Sequence, residues 1–492
     1  MRVSALLTLL PLALAAPATD SKRSIPKLDV AEWDSIQSTF VDRVWNGLSG
    51  WSWNKAEEII GATNDEGQTI YQQLKADEQF SKVVKAIEFS HVQDKFDDPK
   101  LHFTFFAPNN DALKPPPGFP HHHHDHHDHH HHDSILAELE KSPSLTTVAT
   151  LLDADASLMV NDDKDDDDEK KRRKEIFRKI VTKILGYHVI KTDAITAAKL
   201  AENSTVATAL KADDGSFAGL HRRIKVVKEL VPPAVILNFY AKVVSADNKA
   251  SNGIYHVINH PLIPPPSLFD DLYIATDFFS TLTQSVYGLH AVEHLDYHYD
   301  KENSKPGHPE FKGQSLATLF APTNAAFHAL PGPLKFFLFS PFGEHALAKT
   351  LAYHFLPDTL LLSELFVDHR KHKHHGDHGH DDIEYFALGD DPSFHKEFDI
   401  HPALPNSTLH IVIDKTKVLP IEGAVKTTIK VNDQIALAVD VQARNGAFHP
   451  LGKLLVPPHH HHDEHGVDIA HLDTWENWEE WVPAFAAEPL VL

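Results

Sequence analysis

Residues 104–113, "TFFAPNNDAL", return at 318–327 as "TLFAPTNAAF". In both stretches an apolar, β-prone run stops at Ala-Pro and gives way to Asn or Thr, residue types that open turns and cap helices. Two more landmarks follow each copy in the same order. Tyr187-His188 lies within "ILGYHVI" and Tyr353-His354 within "LAYHFL"; then Asn252-Gly253 lies within "SNGIYHVINHPLIPPP" and Asn445-Gly446 within "RNGAFHPLGKLLVPP". A single match would mean little, but three in one order mark an internal duplication.

The copies differ in spacing, and the differences can be located. Ala107 to Tyr187 spans 80 residues and Ala321 to Tyr353 spans 32; the first copy holds "PPPGFPHHHHDHHDHHHHD" (115–133) and "NDDKDDDDEKKRRKE" (161–175). His188 to Asn252 spans 64 residues and His354 to Asn445 spans 91; the second copy holds "DHRKHKHHGDHGHDDIEYFALGDDP" (368–392). Such low-complexity sequence cannot bury a core, so each excess reads as a surface-loop insertion, where added length costs little. The run 161–175 lacks the spaced oxygens and glycine of a calcium loop and reads as a solvated charged segment entering a helix.

Within each copy helices precede strands. The stretch 69–89 places Ile70, Leu74, Phe80, Val84 and Ile87 on one helical face, and 277–295 is expected to be its counterpart. Asn109 and Thr323 are expected to cap short helices. "RRIKVVKELV", "NFYAKVVSAD", "TLHIVID", "KTTIKVN" and "IALAVDVQ" alternate with period two and read as strands. Asn-Gly reads as a tight turn in which both residues take positive φ. The expectation is α+β, with helices packed on a small antiparallel sandwich in each copy.

These motifs resemble the fasciclin (FAS1) family: the opening block at 104–113 and 318–327, the Tyr-His pair in the middle, and the closing block at 252–262 and 445–455, with His256 and His449 at matching places. Leu113 stands where phenylalanine is usual, and "HPLGKLL" replaces a Val-Ile-Asp-type run. The resemblance implies two tandem FAS1-like domains, each a small β-sandwich or wedge with packed helices, of the fungal secreted type. The division expected is a signal peptide at 1–18, an N-terminal segment at 19–66, domain 1 at 67–265, domain 2 at 266–458 and a tail at 459–492. The resemblance also implies adhesion rather than catalysis, and nominates Tyr187, His188, Tyr353 and His354 as interaction residues. Their apolar flanks favour buried, hydrogen-bonded core positions over exposed ones, a reading that extends to His256 and His449.

The N-terminus, "MRVSALLTLLPLALAAPATDSKR", has the charged start, apolar run and small-residue exit of a secretory signal, with cleavage expected after Ala15 or Ala18. Lys22-Arg23 is either a trimming site or an ordinary charged pair. The tail "WENWEEWVPAFAAEPLVL" makes a poor lipid-anchor signal, and no later stretch is long and apolar enough to span a bilayer. Export to the extracellular space or cell surface is expected, with a vacuolar lumen as the alternative. Asn203 and Asn406 open N-glycosylation sequons. Trp475, Trp478 and Trp481 form an aromatic face that either docks on a domain or contacts a partner or carbohydrate.

The chain of 492 residues carries a formal charge of −23, no cysteine and 39 histidines. The charge gives no footprint for nucleic acid, and the missing thiols exclude cysteine catalysis and Cys-based zinc sites. No nucleophile elbow, P-loop or dinucleotide fingerprint is present. The histidines cluster: ten in 121–132, six in 369–380 and five in 459–465. His121, His122, His123, His124, His126, His127, His372, His374, His375, His459, His460 and His461 are candidate ligands for adventitious Zn²⁺, Cu²⁺ or Ni²⁺, without fixed geometry. The same tracts read equally as solvated loops or as a brush that charges below about pH 6. His290-Ala-Val-Glu293-His294 spells an inverted zinc-peptidase pattern on what periodicity takes for a helix. The reading adopted is a non-catalytic adhesion or interaction protein needing no cofactor, whose partners are surface or matrix proteins or wall polysaccharides. A secreted metal-binding protein is the first alternative, and a metallopeptidase at His290, Glu293 and His294 the second.

Overall fold

The computed structural model describes residues 67–114, 167–191, 194–230, 233–305, 308–369, 383–386, 393–418, 424–458 and 474–487. Each copy opens on a capped helix. Thr69 forms a reciprocal capping box with Gln72 at the start of Ile70–Ala76, and the Ser267 hydroxyl accepts from the Asp270 amide at the start of Leu268–Ile274. The stretch 69–89 is not one helix. Asp77 takes an extended conformation and caps a single turn at Glu78–Phe80, after which Ser81–Phe89 resumes. Ile70, Leu74, Phe80, Val84 and Ile87 are nonetheless all buried. In the second copy the matching pair is Leu268–Ile274 and Thr276–Gly288, so the counterpart starts and stops earlier than periodicity suggested. Thr323 caps Asn324–His328, whereas Asn109 caps only a turn, accepting from the Ala112 amide at 2.8 Å.

The quoted stretch becomes a buried strand, Phe103–Pro108 in the first copy and Ala317–Pro322 in the second. Each pairs in parallel with the closing strand of its own copy. Phe106 lies opposite His256 within Gly253–Ile258, and Phe320 lies opposite His449 within Gly446–Leu451. This corrects the antiparallel expectation: the sheets that hold these strands are mixed. The signature of a strand covered on both faces is a continuous apolar run, which both stretches show. Alternate side chains then serve two cores. Phe105, Ala107, Tyr255 and Val257 face the opening helices, while Phe106 and Ile258 face the layer of Tyr187, Leu200, Ile224 and Leu237.

In the first copy seven strands form one sheet, ordered 189–190, 103–108, 253–258, 241–250, 233–237, 221–230, 205–211. In the second copy the same role is divided among separate sheets, with Ser393–Ile400, Leu409–Lys417 and Val425–Val431 antiparallel. The expected strand "IALAVDVQ" is broken, pairing only at Gln434–Ile435 and Val441–Ala443, because Asp440 adopts positive φ between them. Among the described residues, the hairpin Tyr297–Lys305 and His308–Gly313 has a place in the second copy alone. Helix Trp478–Ala487 docks on Glu344–Tyr353: Trp481 is buried, Trp475 stacks on it at 5.6 Å, and Trp478 meets Phe337 at 6.0 Å.

Candidate functional site

The Tyr-His pairs sit where helices Asp167–Tyr187 and Glu344–Tyr353 hand over to short strands. His188 Nδ1 donates to the Ile184 carbonyl at 2.8 Å, and its Nε2 accepts from the Leu262 amide at 2.8 Å. His354 repeats this with the Thr350 carbonyl at 2.7 Å and the Leu455 amide at 2.9 Å. An imidazole that must accept at Nε2 is neutral, with its proton on Nδ1. Burial pulls both rings down to about 4, against the opposing pull of the backbone carbonyl. The Tyr187 hydroxyl donates to the Arg223 carbonyl and accepts from Asn238 Nδ2, both at 2.9 Å. Tyr353 does the same with the Thr408 carbonyl at 2.9 Å and Asn432 Nδ2 at 2.8 Å. None of the four side chains is more than 3% exposed, and their polar atoms are engaged inside the domain.

The closing histidines repeat as faithfully with the opposite tautomer. His256 Nδ1 accepts from the Asp247 amide at 3.2 Å and Nε2 donates to the Ile195 carbonyl at 2.9 Å. His449 uses the Asp440 amide at 3.1 Å and the Leu361 carbonyl at 3.0 Å. Their rings lie 5.7 Å from Phe106 and 5.6 Å from Phe320. Asn252 and Asn445 do not take positive φ, contrary to the turn reading. Each instead uses Oδ1 to hold the first amide of its opening helix, from Ile70 or Leu268 at 2.8 Å, and Nδ2 to hold two loop carbonyls. The glycine after each carries φ of +145° or +152°, and a Cβ there would overlap the carbonyl of Phe103 or Ala317.

Four residues of this framework escaped sequence reading. Asn238 and Asn432 sit at positive φ in hairpin turns, and Asp247 and Asp440 at positive φ before the closing strand. A lone Asn or Asp flanked by strand-like alternation was the available signal.

The remaining candidates are scattered. Helix Thr276–Gly288 ends before His290, which takes φ +54°, and Val292–His294 is a separate single turn. The peptidase pattern therefore loses its helical register, and Glu293 is an exposed partner of Lys312 at 2.6 Å. Among the described residues no group of three or more His, Asp or Glu is placed to hold a metal. The twelve histidines nominated as ligands lie outside the described residues. Asn406 is exposed at a left-handed turn, while Asn203 is half-buried with Nδ2 donating to the Lys199 carbonyl at 3.1 Å. Among the described residues no helix is long and apolar enough to cross a membrane.

The two copies meet across ionisable groups. Glu364 of the second accepts from the amides of Ser204 and Thr205 and from the Thr205 hydroxyl. Asp214 of the first lies between Arg222 at 3.1 Å and Arg444 at 2.9 Å. Burial alone would raise its carboxyl, but Arg222, Ser216 and Arg444 outweigh that and hold it below the usual carboxylate range. Lys225 Nζ donates to Ser204 Oγ at 2.6 Å, while Asp440 accepts from the amide and hydroxyl of Ser363 at 2.7 and 2.5 Å.

Comparison with known proteins agrees with this duplicated arrangement. The fasciclin domain family model matches residues 154–264 and 300–389, one segment in each copy. A solved structure described as a FAS1 domain pair from the insect cell adhesion molecule Fasciclin I aligns over 78% of this chain and 95% of its own length. It is 14% identical, with a TM-score of 0.26. No curated protein matches the chain. With a family match in each copy and the same eight-residue polar framework built twice — Thr104, Asn110, Tyr187, His188, Asn238, Asp247, His256 and Asn252 answering to Thr318, Asn324, Tyr353, His354, Asn432, Asp440, His449 and Asn445 — the chain carries two FAS1 domains in tandem.

Proposed function

We propose that this is a secreted or cell-surface adhesion protein whose two fasciclin domains bind other surface or matrix proteins or wall polysaccharides, without catalysis. The observation that carries the reading is the fasciclin family match in each of the two domains. It is supported by the fate of the side chains most suggestive of chemistry: the four motif histidines are buried and hydrogen-bonded to backbone. On this reading Tyr187, His188, Tyr353 and His354 serve adhesion by holding the domain surfaces in shape. The apolar N-terminal run supports export, with residues 1–18 removed, and Asn203 and Asn406 would then carry glycans. Domain limits of 67–265 and 266–458 suit the capped helices that open each copy.

The test is capture of partners from a native cell-surface extract on the immobilised full-length protein, with and without chelator. Specific, saturable capture that persists in chelator is expected. Loss of all binding in chelator would point to the histidine tracts instead. Peptide cleavage that stops on Glu293→Gln would overturn the non-catalytic reading.

A further inference from the structure

The first domain contributes a loop to the interior of the second. Residues Ala212 and Phe217 belong to a buried cluster whose other members are Leu316, Leu360, Leu362, Leu365, Val367 and Ala447, all from the second domain. Phe217 is 1% exposed, and its amide donates to the Ser315 carbonyl at 2.9 Å. The backbone that delivers it is unusual. Phe217, Ala218 and Gly219 take φ of +52°, +55° and +64° in succession. A bulky L-residue such as Phe occupies that region only when its surroundings hold it there. What holds it is largely the second domain. The Asp214 carbonyl accepts from the Tyr297 hydroxyl at 2.6 Å, at the start of the hairpin 297–313 of that domain. The Asp214 carboxylate is bound by Arg444, whose guanidinium also covers Phe311 at 5.2 Å. Arg222 lies 5.5 Å from the Phe217 ring and donates to the Arg444 carbonyl.

We propose that the loop 212–220 is a latch that joins the two fasciclin domains into one cooperative unit, with Phe217 as the bolt and the Asp214–Arg444 pair as the catch. A loop with two consecutive non-glycine residues at positive φ is poorly stable alone. Its own bonds, from the Ala212 amide to the Leu220 carbonyl and from Arg222 to Asp214 and Ser216, are completed by those of the docked partner domain, so docking and loop order are coupled. The domains then share a single unfolding transition rather than behaving as beads on a string. The latch does not depend on what the protein binds.

Differential scanning calorimetry of the full chain tests this. Wild type should unfold in one transition, and Phe217→Ala should split it in two, because the pocket loses its bolt. Arg444→Met keeps Phe217 and removes the catch; chymotryptic cleavage after Phe217 should rise by about tenfold or more as the loop opens. Ala218→Gly retains the bolt and the catch while relieving one left-handed Cβ, so it should keep one transition and move it to higher temperature. Two transitions in wild type would overturn the latch. So would a single transition in Phe217→Ala, unchanged cleavage in Arg444→Met, or a lower transition temperature in Ala218→Gly.

Discussion

His188 and His354 each accept a backbone amide hydrogen at Nε2, and a proton on that nitrogen abolishes the bond. In the unfolded chain these imidazoles titrate near pH 6.5; in the fold they resist protonation down to about 4. Between those values the unfolded state binds more protons, so stability is complete above pH 6.5 and falls as the pH drops toward 4. Each residue contributes up to about 3 kcal/mol of that loss. Urea unfolding midpoints measured from pH 7.5 to 4.5 should show the decline, and His354→Gln should make it shallower, with His188 still contributing. Gly253 and Gly446 set a different limit. Alanine at either position combines a strained φ with overlap on a neighbouring carbonyl and should cost about 2–4 kcal/mol, read as a fall in urea midpoint. At this scale Tyr187, His188, Asn252 and their partners could be picked out because they recur in order along the chain. Asn238 and Asn432 could not, since each is followed by a different residue and meets its tyrosine only across a folded sheet.

Among the elements, buried strands were the easiest to read and their directions the hardest. "TFFAP" announces a strand covered on both faces, but nothing local says that its neighbour runs parallel. Helix limits failed where a single residue overrode the periodicity. Asp77 interrupts 69–89 because its carboxylate caps the next turn, accepting from the Gln79 amide at 3.0 Å. His290 ends the helical run at its left-handed φ, which removes the geometry a peptidase site would need. Glu293→Gln should accordingly leave the thermal transition unchanged. The aromatic spacing of the tail did carry its meaning, with Trp481 packed beneath Trp475 and beside Phe485. Trp481→Ala should lower stability by about 3–5 kcal/mol in denaturant titration and expose helix Trp478–Ala487 to proteases.

For the whole molecule, duplication was legible because the insertions that disguise it are compositionally foreign to a core. The histidine tracts at 121–132, 369–380 and 459–465 belong to those insertions and the tail. Removing all three should leave the thermal transition at pH 7.5 and partner capture intact, as calorimetry and the same pull-down would show. The contact between domains was not legible, because Phe217 sits in an unremarkable "DDGSFAG" loop and its pocket is assembled from residues about 100 or more positions later. The parallel pairing has one more consequence, for biosynthesis. The strand at Phe103 waits 150 residues for Gly253, and the one at Ala317 waits 129 for Gly446. Neither domain can close while its own C-terminal strand is still inside the ribosome. A nascent chain would therefore present a naked apolar ribbon for the whole of that interval, and it is during synthesis, rather than after it, that chaperones would matter most to this protein.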